Sequence, residues 1–142
     1  MNYDKLKLKN QLCFPLYACA KEVVRRHKPL LDEIDLTYTQ YIAMMVMWEQ
    51  KVITVKELGE YLYLDSGTLT PVLKKLESKG YIERIKNNTD GRVLDLKLTH
   101  IGEELREKAV NIPEQIIKCV PIDEADANKL YEILYNILNL SK

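Results

Sequence analysis

The chain has 142 residues, 46% hydrophobic and 30% charged, and its 21 Lys and Arg balance 21 Asp and Glu. That length matches the roughly 150 residues of one domain, and the composition is that of a globular protein rather than a disordered or fibrous one. No apolar run approaches the ~18 residues that a membrane span requires, and residues 1–10 are polar and lysine-rich without the apolar core of a signal peptide. A cytoplasmic protein with no membrane partner is expected.

Taken in order, residues 5 to about 28 predict a first helix, with Leu12, Leu16, Ala20, Val23 and His27 down one stripe and Pro29 disturbing its end. Residues 37–50 predict a second, with Tyr38, Tyr41, Ile42, Met45 and Trp48 facing inward. Val55, Leu58 and Leu62 mark a short third helix, opened by Thr54 with Glu57 three residues later in a capping-box pattern. Residues 63–65 make a turn. The fourth helix carries Leu69, Val72, Leu73 and Leu76 at the i, i+3, i+4, i+7 spacing of one buried face. Asp65 and Ser66 are both attractive caps for it, and Ser66 is taken as the start; Gly80 suits the C′ position.

Residues 81–86 and 93–98 are strand-like, and Leu94, Leu96 and Leu98 alternate with Val93, Asp95 and Lys97. The tip between them, residues 87–92, is turn-rich and offers an arginine. Thr99 caps a fifth helix with carboxylates in its first turn. Its face continues through Ile101, Leu105, Ala109, Ile112 and Ile116, bent by Pro113 and ended by Pro121. A last helix covers about 124–140, with Leu130, Ile133, Leu134, Ile137 and Leu138 on one side. The terminal helices therefore present apolar faces that either a second subunit or the rest of the chain must cover.

Helix, turn, helix and two-stranded ribbon in that order suit a DNA reader. Zero net charge argues weakly against nucleic acid, but the distribution argues for it. Residues 74–92 hold six cations (Lys74, Lys75, Lys79, Arg84, Lys86, Arg92) against three anions (Glu77, Glu83, Asp90), whereas the end of the chain is acidic. The outer face of the fourth helix carries Ser66, Thr68, Thr70, Lys74 and Lys75. Cys13, Cys19 and Cys119 are odd in number and far apart, which argues against a disulfide framework, and none has metal-ligand spacing with His27 or His100. No metal and no cofactor are expected.

The run Leu64-Asp65-Ser66-Gly67-Thr68-Leu69-Thr70-Pro71, followed by Lys74-Lys75-Leu76-Glu77, the pair Asp90 and Arg92, and Leu98-Thr99 with Gly102, resembles the MarR family of winged-helix regulators over essentially the whole chain. The resemblance implies a mainly α fold with a small β-wing. It implies one domain over 1–142, with a winged helix-turn-helix reading part at about 36–99 and dimerisation helices at 1–30 and 100–142. It further implies a homodimer on a pseudo-palindromic double-stranded operator. Ser66, Thr68, Thr70 and Pro71 would meet bases or backbone, Lys74 and Lys75 phosphates, and Arg92, oriented by Asp90, the minor groove.

Asn10-Gln11-Leu12-Cys13-Phe14, Leu16-Tyr17-Ala18, Lys28-Pro29-Leu30-Leu31 and Leu36-Thr37-Tyr38 resemble the organic-hydroperoxide-sensing OhrR type within that family. That resemblance implies a repressor whose sensor is Cys13, with Tyr38 bonding its thiolate. A second tyrosine of the pattern is His27 here, which leaves open whether an imidazole takes that place. Tyr17, four residues from Cys13, shares its helical face. Thiolate is the form that attacks a peroxide, and phenol hydrogen bonds favour it. The blander alternative is an inert packed cysteine. Cys119 is then either the resolving cysteine of an intersubunit disulfide or inert, with a small thiol capping oxidised Cys13; Cys19 reads as core. Two other functions stay open: a regulator of the same fold released by a small aromatic effector held among Tyr38, Tyr41, Met45 and Trp48, and, in another class, a cysteine-dependent peroxidase. A winged-helix module that binds protein rather than DNA is a last alternative.

Overall fold

Side-chain caps mark where several of the helices begin. In the computed structural model, which describes residues 1–140, the helices are α1 (Cys13–Asp32), α2 (Tyr38–Gln50), α3 (Val55–Leu62), α4 (Ser66–Ser78), α5 (His100–Ala109), α6 (Ile112–Cys119) and α7 (Glu124–Leu140). The strands are β1 (Val52–Thr54), β2 (Ile82–Lys86) and β3 (Leu94–Leu98). They form one antiparallel sheet in the order β1-β3-β2, with Ile53 opposite Leu96 and Arg84 opposite Leu96 on the other side. The fold is therefore mainly helical with a small wing, as the pattern of elements implied. The chain divides into two units, residues 1–112 and 113–142.

Thr37 opens α2 with a full capping box, its hydroxyl accepting from the Gln40 amide while the Gln40 side chain accepts from the Thr37 amide. Thr54 caps α3 through the Glu57 amide at 3.1 Å, but the expected box is half made, because the Thr54 hydroxyl also donates to the Glu57 carboxylate at 2.9 Å. Asp65, not Ser66, caps α4, accepting from the Thr68 amide at 2.8 Å; Ser66 is the first helical residue. A carboxylate reaches the third amide of the helix and complements its positive end. Gly80, at φ 81, closes α4 in a Schellman turn: the Tyr81 amide bonds Leu76 O at 3.0 Å and the Gly80 amide bonds Glu77 O at 2.9 Å.

The core of the first unit comprises Leu31, Leu36, Tyr41, Met44, Met47, Ile53, Leu58, Leu69, Leu73, Leu76, Ile82, Leu96 and Leu105, all buried. Each large side chain of this kind contributes about 1.5–3 kcal/mol by leaving water. Leu69, Leu73 and Leu76 are the inward stripe expected of the fourth helix. The inward face of α2 is different from the expected one: Tyr41, Ala43, Met44 and Met47 are buried, whereas Met45 is exposed and Ile42 and Trp48 are half-buried.

Three boundaries also differ. The first helix begins at Cys13 rather than residue 5, and it runs through Pro29 to Asp32. Ahead of it lie two short 3-10 turns, where Asn10 donates its side-chain NH2 to Asp4 O and Gln11 donates to Lys5 O and Lys7 O. Amide side chains that bond the local backbone compete with helix. The expected fifth helix is two helices, broken after Ala109. Pro113 is the second residue of α6, where a missing N–H costs nothing. In the second unit α7 leaves Leu130, Tyr131, Ile133 and Ile137 exposed. No described helix is long and apolar enough to cross a membrane.

Candidate nucleic-acid interface and thiol site

The inward stripe of α4 leaves the opposite face in solvent. Ser66, Thr68, Thr70, Pro71, Lys74 and Lys75 are all exposed, so the structure gathers every residue expected there on one surface. Thr70 donates its hydroxyl to Ser66 O at 2.7 Å, which leaves its oxygen able to accept. The Thr68 backbone amide holds the Asp65 carboxyl below the usual carboxylate range, so the cap stays ionised at neutral pH. Short hydroxyls at the front and flexible ammonium groups behind match base-edge and phosphate contacts respectively.

The wing stands beside this face. At its tip the Asn87 side-chain carbonyl accepts from the amides of Thr89 and Asp90 at 2.9 and 3.1 Å, while its NH2 donates to Asp95 at 3.1 Å. This Asx-type turn folds the tip back on β3. The side chain of Arg92 is 92% exposed, and its guanidinium meets Asp90 at 3.2 Å. The Arg92 amide bonds the same carboxyl and, as the first cause, holds Asp90 below the ordinary range. A guanidinium offered at the end of a ribbon suits a narrow minor groove.

Not every cation of the basic stretch is available. Arg84 on β2 makes a two-pronged pair with Glu77 of α4, at 3.0 and 3.2 Å, and fixes the wing to the helix. Lys79 is turned toward the α1–α2 junction, where it donates to Asp35 O and meets the Asp35 carboxyl at 3.4 Å. Among the described residues Lys74, Lys75 and Lys86 make no ion pair, and with the exposed Arg92 they are the cations of this stretch open to solvent. Sequence spacing carried no signal for Lys79 or Arg84, whose partners lie on other elements. Asn87 was legible as a turn residue.

At the other end of the first unit, Cys13 is the first residue of α1 and is exposed, as are Tyr17 and Cys19. Exposure of Cys19 corrects the expectation that it is core. His27 is 8% exposed, its Nδ1 2.8 Å from Val23 O. Nδ1 therefore carries the proton of the neutral ring, and Nε2 is left as the acceptor. The ring meets Tyr38 edge-on at 4.9 Å and Tyr41 at 6.1 Å. Burial pushes both phenols above their ordinary pKa, so they remain neutral donors.

His27 and Tyr38 are thus together, but Cys13 is not with them. Fourteen residues of continuous helix separate Cys13 from His27, about 21 Å along the axis at 1.5 Å per residue. Cys119 ends α6 and is exposed. The side chains considered for an aromatic effector have different surroundings: Tyr41 is in the core, Met45 is exposed, and the Trp48 indole donates to Gly102 O at 2.8 Å. Among the described residues no group of three His, Cys, Asp or Glu could hold a metal ion.

Residues 36–94 match the model of the MarR family. The chain is 46% identical over 136 residues to the organic hydroperoxide resistance transcriptional regulator of Bacillus subtilis (strain 168), covering 96% of this chain and 92% of that one. It is 40% identical over 132 residues to the HTH-type transcriptional regulator SarZ of Staphylococcus saprophyticus, covering 93% and 90%. Among solved structures, reduced AbfR bound to DNA superposes with a TM-score of 0.80 at 31% identity, covering 98% of this chain and 96% of that one. The disulfide form of AbfR superposes at 0.66 over 95% of each chain.

Proposed function

The chain belongs to the MarR family and is a transcriptional regulator, not an enzyme, and from that premise we propose that it is a DNA-binding repressor that senses organic hydroperoxides through Cys13. The observation that carries this reading is the similarity, over nearly the whole chain, to a regulator of organic hydroperoxide resistance. An exposed thiol at the start of α1 and an exposed polar face on α4 supply the input and the output of such a switch.

The reading part is residues 36–99, and the helices of 1–30 and 100–142 make a homodimer. Each unit exposes apolar residues for a second copy to cover: Leu12, Leu16 and Val23 in the first, and Ile133 and Ile137 of α7 in the second. Two copies of α4 then enter successive major grooves of a pseudo-palindromic site, about 34–36 Å apart. Ser66, Thr68, Thr70 and Pro71 face bases and sugar, Lys74 and Lys75 bind phosphates, and Arg92 with Asp90 enters the minor groove. Within one chain the thiol is too far from His27 and Tyr38 to touch them, so its partners come from the second copy; Tyr17 is the neighbour on its own helix.

In the reduced protein the Cys13 thiolate attacks the terminal peroxide oxygen, the O–O bond breaks, and the alcohol leaves with a proton. The sulfur, oxidised to sulfenic acid, condenses with a thiol and releases water. That thiol is Cys119 of the second copy, or a small cellular thiol. Either product shifts the dimerisation helices and the reading heads lose their spacing.

Operator binding by Cys13→Ser, with and without an organic hydroperoxide, tests the sensor: a variant that still releases DNA on oxidation removes Cys13 from the role. Under the disulfide route, Cys119→Ser loses the peroxide-induced dimer on a non-reducing gel.

A further inference from the structure

Resting on this redox reading, we infer that Lys79 is a positioning residue that couples the α1–α2 junction, at the sensing end, to the reading helix α4. Two helix ends meet at this lysine, and they end alike. At the end of α1 the Leu36 amide bonds Leu31 O at 3.1 Å and the Asp35 amide bonds Asp32 O at 3.2 Å, with Asp35 at φ 53. At the end of α4 the same pair of bonds surrounds Gly80 at φ 81. Glycine adopts this left-handed conformation freely; aspartate does so at a steric cost and needs support.

Lys79, directly before Gly80, supplies that support from 44 residues away by donating to the carbonyl oxygen of Asp35 itself. Its ammonium also lies 3.5 Å from Gln40 Oε1. The same Gln40 oxygen accepts from the Thr37 amide at 3.1 Å in the capping box that starts α2. One half-buried ammonium thus touches the turn after α1, the cap of α2 and, through its own backbone, the last turn of α4. Tyr38, the first residue of α2, sits next to that cap and holds His27 edge-on. A displacement of the His27–Tyr38 pair therefore moves the two acceptors that fix Lys79.

The acceptor that matters is the carbonyl. The carboxylate of Asp35 is 91% exposed, and an ion pair so open to water contributes little. Removing that charge leaves the coupling in place, whereas removing the ammonium breaks it.

Lys79→Met, Lys79→Arg and Asp35→Asn, each checked for folding by circular dichroism, are titrated onto operator DNA reduced and after organic hydroperoxide. Coupling between distant sites spans about 5–150-fold. The wild type should lose about tenfold or more in affinity on oxidation, and Lys79→Met, bound to DNA normally when reduced, less than about threefold. Lys79→Arg and Asp35→Asn should behave as wild type. The inference is overturned if Lys79→Met releases DNA as fully as wild type. It is equally overturned if that variant cannot bind DNA when reduced, since Lys79 then builds the reading head rather than coupling it. If the wild type itself does not release, the redox reading falls, and hydrogen exchange decides the coupling alone. Operator DNA should slow exchange of the Leu36 amide in wild type and not in Lys79→Met; equal slowing in both refutes it.

Discussion

Gly102 is the position where one methyl group should do the most damage. A Cβ built there lies 2.2 Å from the carbonyl oxygen of Tyr81 and 2.8 Å from a Leu98 methyl. The leucine can rotate, but the carbonyl is backbone and must retreat by about 1 Å to reach ordinary contact. It is not free to do so, because it accepts from the Thr99 amide at 3.1 Å, while the Thr99 hydroxyl bonds Gly80 O at 2.5 Å and the Gly102 amide at 3.0 Å. Gly102 O is in turn held by the Trp48 indole at 2.8 Å. Losing two or three of these bonds, at about 1 kcal/mol each, gives a destabilisation of about 2–3 kcal/mol for Gly102→Ala. For a chain of this size that is a fall in Tm of about 5–10 °C. Thermal unfolding followed by far-ultraviolet circular dichroism, at fixed concentration with thiols reduced, measures it. Gly91→Ala is the internal control: nothing lies within 4 Å of its Cβ, so Tm should hold within about 2 °C. A Gly102→Ala protein that melts with the control would refute the packing argument.

Asp65→Ala should lower Tm by about 3 °C through loss of the α4 cap, with Asp65→Asn close to wild type because its side-chain oxygen accepts the same amide; equal melting of the two variants counts against the cap. Arg92→Ala should leave Tm unchanged and weaken operator binding about tenfold with a shallower salt dependence, read by fluorescence anisotropy at several salt concentrations. Hydrogen bonds from Arg25 and Arg26 lower the Glu22 carboxyl to about 2 from 4.5, so its contribution to stability is present above about pH 4.5 and is lost as the pH falls toward 2. Glu22→Gln should flatten that part of the acid unfolding curve, and an unchanged slope there would count against the pairing.

What the sequence discloses is what local spacing governs. Leu69, Leu73 and Leu76, the caps Thr54 and Thr99, and Gly80 as the stop of α4 all act within a turn or two of themselves, and the structure has them in those roles. The face of α2 was misread because Tyr41 to Trp48 is apolar on every side and no polar residue marks the outside. Three-residue β1 has no room for an alternating pattern and exists by pairing with β3. Pro113 suggested a bend but opens a new helix, since proline is at ease in a first turn. The exposed residues of α4 proposed to face DNA were legible because they are the complement of the buried stripe. Lys79 on Asp35 and Arg84 on Glu77 were not, for no periodicity links a side chain to a partner across the fold.

The thiol site poses a different problem, because its parts are legible one by one while their assembly is not. Cys13 lies on one turn of α1 and His27 and Tyr38 cluster about 21 Å further along, so the proposed site of Cys13 and Tyr38 would draw each from a different copy. This arrangement has a consequence that an intrachain site lacks. In a mixed dimer of a Cys13→Ser chain and a Tyr38→Phe chain, the Tyr38→Phe copy contributes an intact Cys13 and the Cys13→Ser copy an intact Tyr38. One whole site is rebuilt, and the other is doubly broken. Differently tagged chains, co-expressed and purified through both tags, provide that dimer. Trapping of sulfenic acid by dimedone, read by mass spectrometry, should show Cys13 in the mixed dimer oxidising at about the wild-type rate, and Cys13 in the Tyr38→Phe homodimer more slowly. If the mixed dimer is as slow as that homodimer, Tyr38 acts within its own chain or not at all, and the intersubunit site is wrong.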